Sequence, residues 1–154
     1  MADYDLIVLG AGPGGYLAAE RAGQAGLKTL LIEKRHIGGT CLNEGCIPTK
    51  TFLRSAKLYH SASDSAAYAV GFEGASIDHS AVVARKRKVT ANLVTGVKAG
   101  LKAAKVKILE GEAMIEGRGN DGIIVSALGE SYSCRNLIVA TGSSPIIPGI
   151  EGLR

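Results

Sequence analysis

The stretch Gly10-Ala11-Gly12-Pro13-Gly14-Gly15 constrains this chain more than any other. It follows the apolar run Tyr4-Asp5-Leu6-Ile7-Val8-Leu9 and opens a segment rich in helix formers from about Gly14 to Ala25, after which Lys28-Thr29-Leu30-Leu31-Ile32 is again apolar. Strand, glycine turn, helix and strand is the simplest reading of those lengths and patterns. Both apolar runs are nearly continuous, which suits strands inside a parallel sheet covered on both faces. A right-handed βαβ unit follows. The G-x-G-x-x-G spacing gives each glycine a purpose. Gly10 permits the tight turn, Gly12 lets backbone approach a pyrophosphate, and Gly15 allows close packing of helix on strand. The N–H groups at the helix start then face the phosphates, although Pro13 supplies none. Glu33, closing the second strand, can accept hydrogen bonds from both ribose hydroxyls of an adenosine and would repel a 2′-phosphate. These features predict a dinucleotide site, with a purely structural turn as the alternative, and leave NAD and FAD equally open.

Composition removes several other classes. Glycine makes up 21 of 154 residues but keeps no three-residue period, and 46% of the chain is hydrophobic, so neither collagen nor disorder is expected. Three cysteines, and an opening Met1-Ala2-Asp3 without a basic start and apolar core, predict a reducing cytoplasm over a secreted disulfide scaffold. No apolar run approaches the ~18 residues of a membrane span. The net charge is +4, aromatics are 5%, and the dense run Arg85-Lys86-Arg87-Lys88 reads as a solvated helix face, so no nucleic-acid partner is expected.

Further along, Gly38-Gly39-Thr40 precedes a helical stretch from Cys41 to His60, and residues 61 to 78 form a connection of undefined shape. From Ser80 to Ala104 the residues Val82, Val89, Leu93, Val97, Leu101 and Ala104 predict a long helix with one buried stripe. Short strands are expected at 106–109, 113–115, 123–125 and 136–140, forming a small antiparallel ribbon that feeds one more core strand. Residues from Thr141 to Gly149 look like a linker, and there is no internal repeat.

Cys41 and Cys46 stand five positions apart. On an ideal helix their Cα atoms would be about 8 to 9 Å apart, beyond the roughly 7 Å that a disulfide tolerates. Pro48 offers no N–H to the Glu44 carbonyl and Gly45 loosens the backbone, so a distorted first turn can hold a bridge and make it reducible. A helix N-terminus favours a thiolate there. A zinc site using His36 and the distant Cys134, and two ordinary buried thiols, are the alternatives; Cys134 itself reads as a packed small hydrophobe.

The segment Gly38-Gly39-Thr40-Cys41-Leu42-Asn43-Glu44-Gly45-Cys46-Ile47-Pro48-Thr49-Lys50 resembles the active-site signature of the pyridine nucleotide disulfide oxidoreductases. The resemblance extends over all 154 residues, since the glycine fingerprint, Glu33, Gly111-Glu112-Ala113 and Ala140-Thr141-Gly142 follow in the family's order. It implies a Rossmann-like α/β FAD-binding domain with a parallel sheet and a small antiparallel ribbon. FAD would be held at Gly10, Gly12, Gly15, Glu33 and Lys34, with Gly39 and Thr40 near the pyrophosphate, Ala113 beside the adenine portion, and Thr141 and Gly142 turning beside the cofactor. Cys41 would exchange with a dithiol substrate, Cys46 would lie against the flavin as a charge-transfer thiolate, and Lys50 would approach the flavin N5 region. No metal is implied.

The Ile47-Pro48-Thr49-Lys50 ending is most similar to family members that oxidise dihydrolipoamide, carried on a lipoyl domain, with NAD⁺ as final acceptor. Glutathione and mercuric reductases share most of the segment, and a non-catalytic FAD-binding module is the alternative from outside enzymology. Family members are longer homodimers. The resemblance therefore implies a truncated chain, with 1–142 the N-terminal segment of the FAD-binding domain and 143–154 a linker toward an NAD-binding domain. The acid–base His and Glu of the family are not matched by His36, His60 or His79, so the fragment alone is expected to be inactive and to hold FAD weakly.

Overall fold

The computed structural model describes residues 2–153. Among them, β1 (Tyr4–Leu9), β2 (Thr29–Glu33), β3 (Lys107–Glu110), β4 (Ala113–Gly119), β5 (Gly122–Ala127) and β6 (Glu130–Val139) form one sheet of order β3-β2-β1-β6-β5-β4. β1 runs parallel to both β2 and β6, and β2 runs parallel to β3. β4, β5 and β6 are antiparallel neighbours. β6 therefore serves two architectures. Its first half pairs with β5, its second half with β1, and Cys134 is the residue shared, opposite Tyr4 on one side and Ile123 on the other.

The continuous apolar runs have a physical cause, because β1 and β2 are covered on both faces. On one face Leu6, Val8 and Leu31 pack with Ala19, Ala22, Leu101 and Ala104, which come from α1 (Pro13–Gln24) and the C-terminal end of α4 (His79–Ala103). On the other, Ile7, Leu9, Leu30 and Ile32 pack with Val125, Ala127, Tyr132 and Cys134 of the ribbon. Helices cover one side and folded-over strands the other. Burial at Cys134 is complete and pushes its thiol pKa up.

Three expectations change. The single helix over 41–60 is two, α2 (Gly39–Asn43) and α3 (Cys46–Ser63), with Glu44 and Gly45 between them. The break lies where Pro48 removes the donor for the Glu44 carbonyl, and the Glu44 and Gly45 N–H groups turn back to the Thr40 carbonyl at 2.9 and 2.7 Å. Along α4 the stripe is buried fully only at Leu101; Leu93 is 42% exposed, and Val94 takes its place against the core. The last strand begins at Glu130 rather than 136. The connection after α3 holds a short 3₁₀ turn, Ser65–Tyr68, and then irregular chain to Asp78, whose carboxylate caps α4 by accepting the Ala81 N–H at 3.1 Å. Among the described residues no helix is long and apolar enough to cross a membrane.

Candidate functional site

The parallel strands end together. At their C-terminal edge the Leu9–Gly10 turn, the end of β2, the Gly38–Thr40 loop, Gly111–Ala113 and the chain leaving β6 surround a cleft of about 820 Å³. This is the edge at which open α/β sheets bind ligands, and the volume lies in the range of ligand sites, roughly 300–1,000 Å³.

Glycine makes the cleft possible by letting backbones touch. Gly10 has φ +94°, and a Cβ on it would collide with the Ala140 carbonyl at the end of β6. A Cβ on Gly15 would overlap the Gly10 carbonyl oxygen, so α1 could not lie as close to β1 with any other residue there. Gly39 (φ +59°) would place a Cβ 2.6 Å from the Gly12 Cα. The loop before the cysteines is thus pressed onto the nucleotide-type loop, and the Gly38 N–H donates to the Ala11 carbonyl at 2.8 Å. The Cβ positions of Gly12 and Gly14 are open. α1 has no side-chain N-cap; Pro13 has no N–H and the Gly15 and Tyr16 N–H groups both donate to the Gly12 carbonyl at 3.0 Å, so the Gly14 N–H is the first-turn donor left for an anion.

Glu33 does a job that the spacing did not reveal. Its carboxylate accepts the Ala11 N–H at 2.6 Å and the Arg35 N–H at 2.7 Å, tying the end of β2 to the glycine turn. A carboxylate has roughly four lone-pair sites, so hydroxyl donors can still be accepted. Lys34 is paired with Glu112 at 3.3 Å, and Arg35 with Glu44 at 2.8 Å, so charged pairs join the segments around the cleft.

Cys41 lies in α2 and Cys46 is the first residue of α3. Both are free thiols, Cys41 half-buried and Cys46 exposed, which removes the reading as two ordinary buried cysteines. A hydrogen bond with the Cys46 thiol pushes the Cys41 pKa up, and burial adds to it; the Cys46 N–H and the Lys50 ammonium pull the other way. The thiols are therefore adjacent, with Lys50 in electrostatic reach. At neutral pH the raised pKa keeps Cys41 protonated. Among the described residues no group of three or more His, Cys, Asp or Glu could hold a metal ion.

Of the residues expected from sequence, Gly10, Gly12, Glu33, Lys34, Gly39, Thr40, Cys41, Ala113, Thr141 and Gly142 line the cleft. Gly15, Cys46 and Lys50 stand outside its wall, Gly15 beneath the turn and the other two exposed on α3. Sequence reasoning missed Asn43, whose side-chain amide donates to the carbonyls of Ile37 at 3.1 Å and Gly39 at 2.8 Å. It also missed Arg35, His36 and Glu44 on the cleft wall, for which the spacing carries no signal. Replacing Asn43 with Leu is expected to remove a side-chain donor from both carbonyls and to lower stability by about 1–3 kcal/mol. An unchanged urea midpoint in the complete protein would contradict this.

The family model described as pyridine nucleotide-disulphide oxidoreductase matches residues 4–154. The chain belongs to that family. Among curated members of this oxidoreductase family, a dihydrolipoyl dehydrogenase of Mycoplasma genitalium is 46% identical over 97% of this chain and 33% of its own length. One from Acholeplasma laidlawii is 42% identical over 99% of this chain and 44% of its own length. The chain thus spans a third to under half of the relatives it matches. Among solved structures, the Cu(II) complex of an HOCl-induced flavoprotein disulfide reductase of Escherichia coli superposes with a TM-score of 0.71 at 25% identity, covering 96% of this chain and 30% of that one.

Proposed function

We propose that this chain is the flavin-binding and dithiol-exchanging part of a dihydrolipoamide dehydrogenase, in which 1–142 belongs to the FAD-binding domain and 143–154 leads toward an NAD-binding domain. The observation that carries the reading is the contact between the two glycine loops, Gly39 on Gly12, which brings an adjacent thiol pair to the edge of a dinucleotide cleft. The donor set fits FAD: open backbone at Gly12 and Gly14, an α1 N-terminus without a side-chain cap and a carboxylate at the end of β2. Gly10, Gly12, Gly15, Glu33, Lys34, Gly39, Thr40, Lys50, Ala113, Thr141 and Gly142 would hold it. When bound, FAD supplies a two-electron acceptor whose reducing equivalents go on to NAD⁺.

The residues of this chain handle the sulfur chemistry. A substrate thiolate attacks Cys41 Sγ of the Cys41–Cys46 disulfide, forming a mixed disulfide and releasing Cys46 as thiolate. The second substrate thiol, deprotonated, then attacks the substrate sulfur of that mixed disulfide. Cyclic lipoamide leaves, and Cys41 departs as a thiolate that takes up a proton. The substrate is oxidised by two electrons and the protein pair reduced by two, to the dithiol that the structure holds. Cys41, pushed up in pKa, is the thiol that keeps its proton. In a cytoplasmic homodimer the substrate would arrive on a lipoyl-bearing domain. The test is the complete, FAD-loaded protein with free dihydrolipoamide and NAD⁺. NADH formation is expected, and oxidised glutathione with NADPH is expected to give none. The reverse pattern would overturn the substrate assignment.

A further inference from the structure

The charges on this chain are segregated. α3 carries Lys50, Arg54 and Lys57, α4 carries Arg85-Lys86-Arg87-Lys88, Lys98 and Lys102, and neither helix contains an Asp or Glu. Those two helices hold half of the 18 Lys and Arg and none of the 14 Asp and Glu. The remainder is correspondingly acidic. Lys98 is neutralised by Glu110 at 2.6 Å, and His60 pairs with Asp64 at 2.8 Å. Arg54, Lys57, Arg85, Arg87 and Lys88 are exposed, and none pairs with a carboxylate among the described residues. A solvated face needs charge, but it does not need one sign only; mixed signs at i, i+4 spacing would stabilise both helices and are absent.

The arrangement also has a direction. At about 100° per residue, positions 46, 50, 54 and 57 fall within a narrow arc of α3. A cationic ridge therefore runs along α3 from Lys50, one turn beyond Cys46, through Arg54 to Lys57, for about 10 Å at ~1.5 Å per residue. α4, with its basic run, packs against the same helix.

We propose that this acid-free helix pair is a docking surface for an acidic protein domain that carries the dithiol on a flexible arm, with Arg54, Lys57, Arg85, Arg87 and Lys88 steering it toward the cysteines. The proposal rests on the dihydrolipoamide reading above. Small free substrate needs no such surface, whereas a carrier domain must bring its arm to one end of α3, where the ridge begins. A single-sign surface beside a site raises encounter rates by about 10- to 1,000-fold, and salt erases the effect.

The experiment compares two substrates of the complete, FAD-loaded enzyme, free dihydrolipoamide and an acidic dihydrolipoyl domain. In the wild type, kcat/KM for the domain is expected to fall at least about ten-fold between low and high salt, and that for the free substrate to stay level. The double variant R54E/K57E and the triple variant R85E/R87E/K88E are expected to lower kcat/KM for the domain about ten-fold or more and to leave the free substrate unchanged. Domain kinetics indifferent to salt would overturn docking even if a variant failed to fold. Equal losses on both substrates would overturn it too, as would variants that lose a single-stranded oligonucleotide while oxidising the domain normally. A wild-type enzyme inert toward free dihydrolipoamide would instead overturn the functional reading, and docking with it.

Discussion

Replacing Cys46 with Ser in the complete, FAD-loaded protein is expected to abolish dihydrolipoamide oxidation and to remove the long-wavelength absorbance of the reduced wild type. Reduction of the bound flavin by NADH should persist. A hydroxyl cannot form the bridge that the substrate thiolate must cleave, so turnover should fall to background rather than decline by degrees. The companion variant C41S separates the two sulfurs. It also loses turnover, because the exchanging thiol is gone, but it keeps the sulfur at the first position of α3, and the absorbance band should remain. The asymmetry follows from position, since Cys46 begins α3 whereas Cys41 lies in α2. Persistence of the band in C46S, with its loss in C41S, would reverse the assignment.

The second large effect is expected at Gly15. Replacing it with Ala adds one methyl group, yet that methyl coincides with the Gly10 carbonyl oxygen, and neither group belongs to a flexible side chain. α1 must move off β1, and the N–H groups at its start move with it. Overpacking of this kind costs typically 1–3 kcal/mol and occasionally more; about 3 kcal/mol is expected here because backbone meets backbone. Flavin retained after gel filtration should fall in parallel. The control is Gly96→Ala in α4, where the added Cβ meets nothing within 4 Å, so the protein should gain about 0.4–1 kcal/mol. Equal urea midpoints and flavin content in wild type and G15A would show that the close approach is dispensable.

Much of the site was legible because its chemistry is local in sequence. Gly10, Gly12 and Gly15 announce themselves through spacing between a strand and a helix, and Cys41, Gly45, Cys46 and Pro48 lie within one short segment. What was illegible depends on partners elsewhere in the chain. Glu33 could be read as a ribose acceptor, but its hold on the Ala11 N–H exists only once β2 lies beside β1. The role of Asn43 exists only because the fold turns the Ile37 and Gly39 carbonyls toward its side-chain amide. The start of β6 was missed because Glu130-Ser131-Tyr132-Ser133 is polar by composition and becomes a strand through its pairing with β5. On α4 the buried stripe drifts, as 3.6-residue geometry requires over 25 residues, so Val94 rather than Leu93 reaches the core.

The position of β6 beside β1 sets an order of events during synthesis. Chains emerge N-terminus first, and β1 meets β2 early, but its other neighbour lies 130 residues away, as the Asp3–Ser133 contact measures. Closing so long a loop is slow relative to local structure. Until β6 is made, Gly10 lacks the Ala140 carbonyl that it lies against, and Ile7 and Leu9 lack the ribbon that covers them. The fingerprint, made long before β6, thus becomes a binding site only once β6 is in place, and a nascent chain stopped before β6 would carry the motif without the cleft.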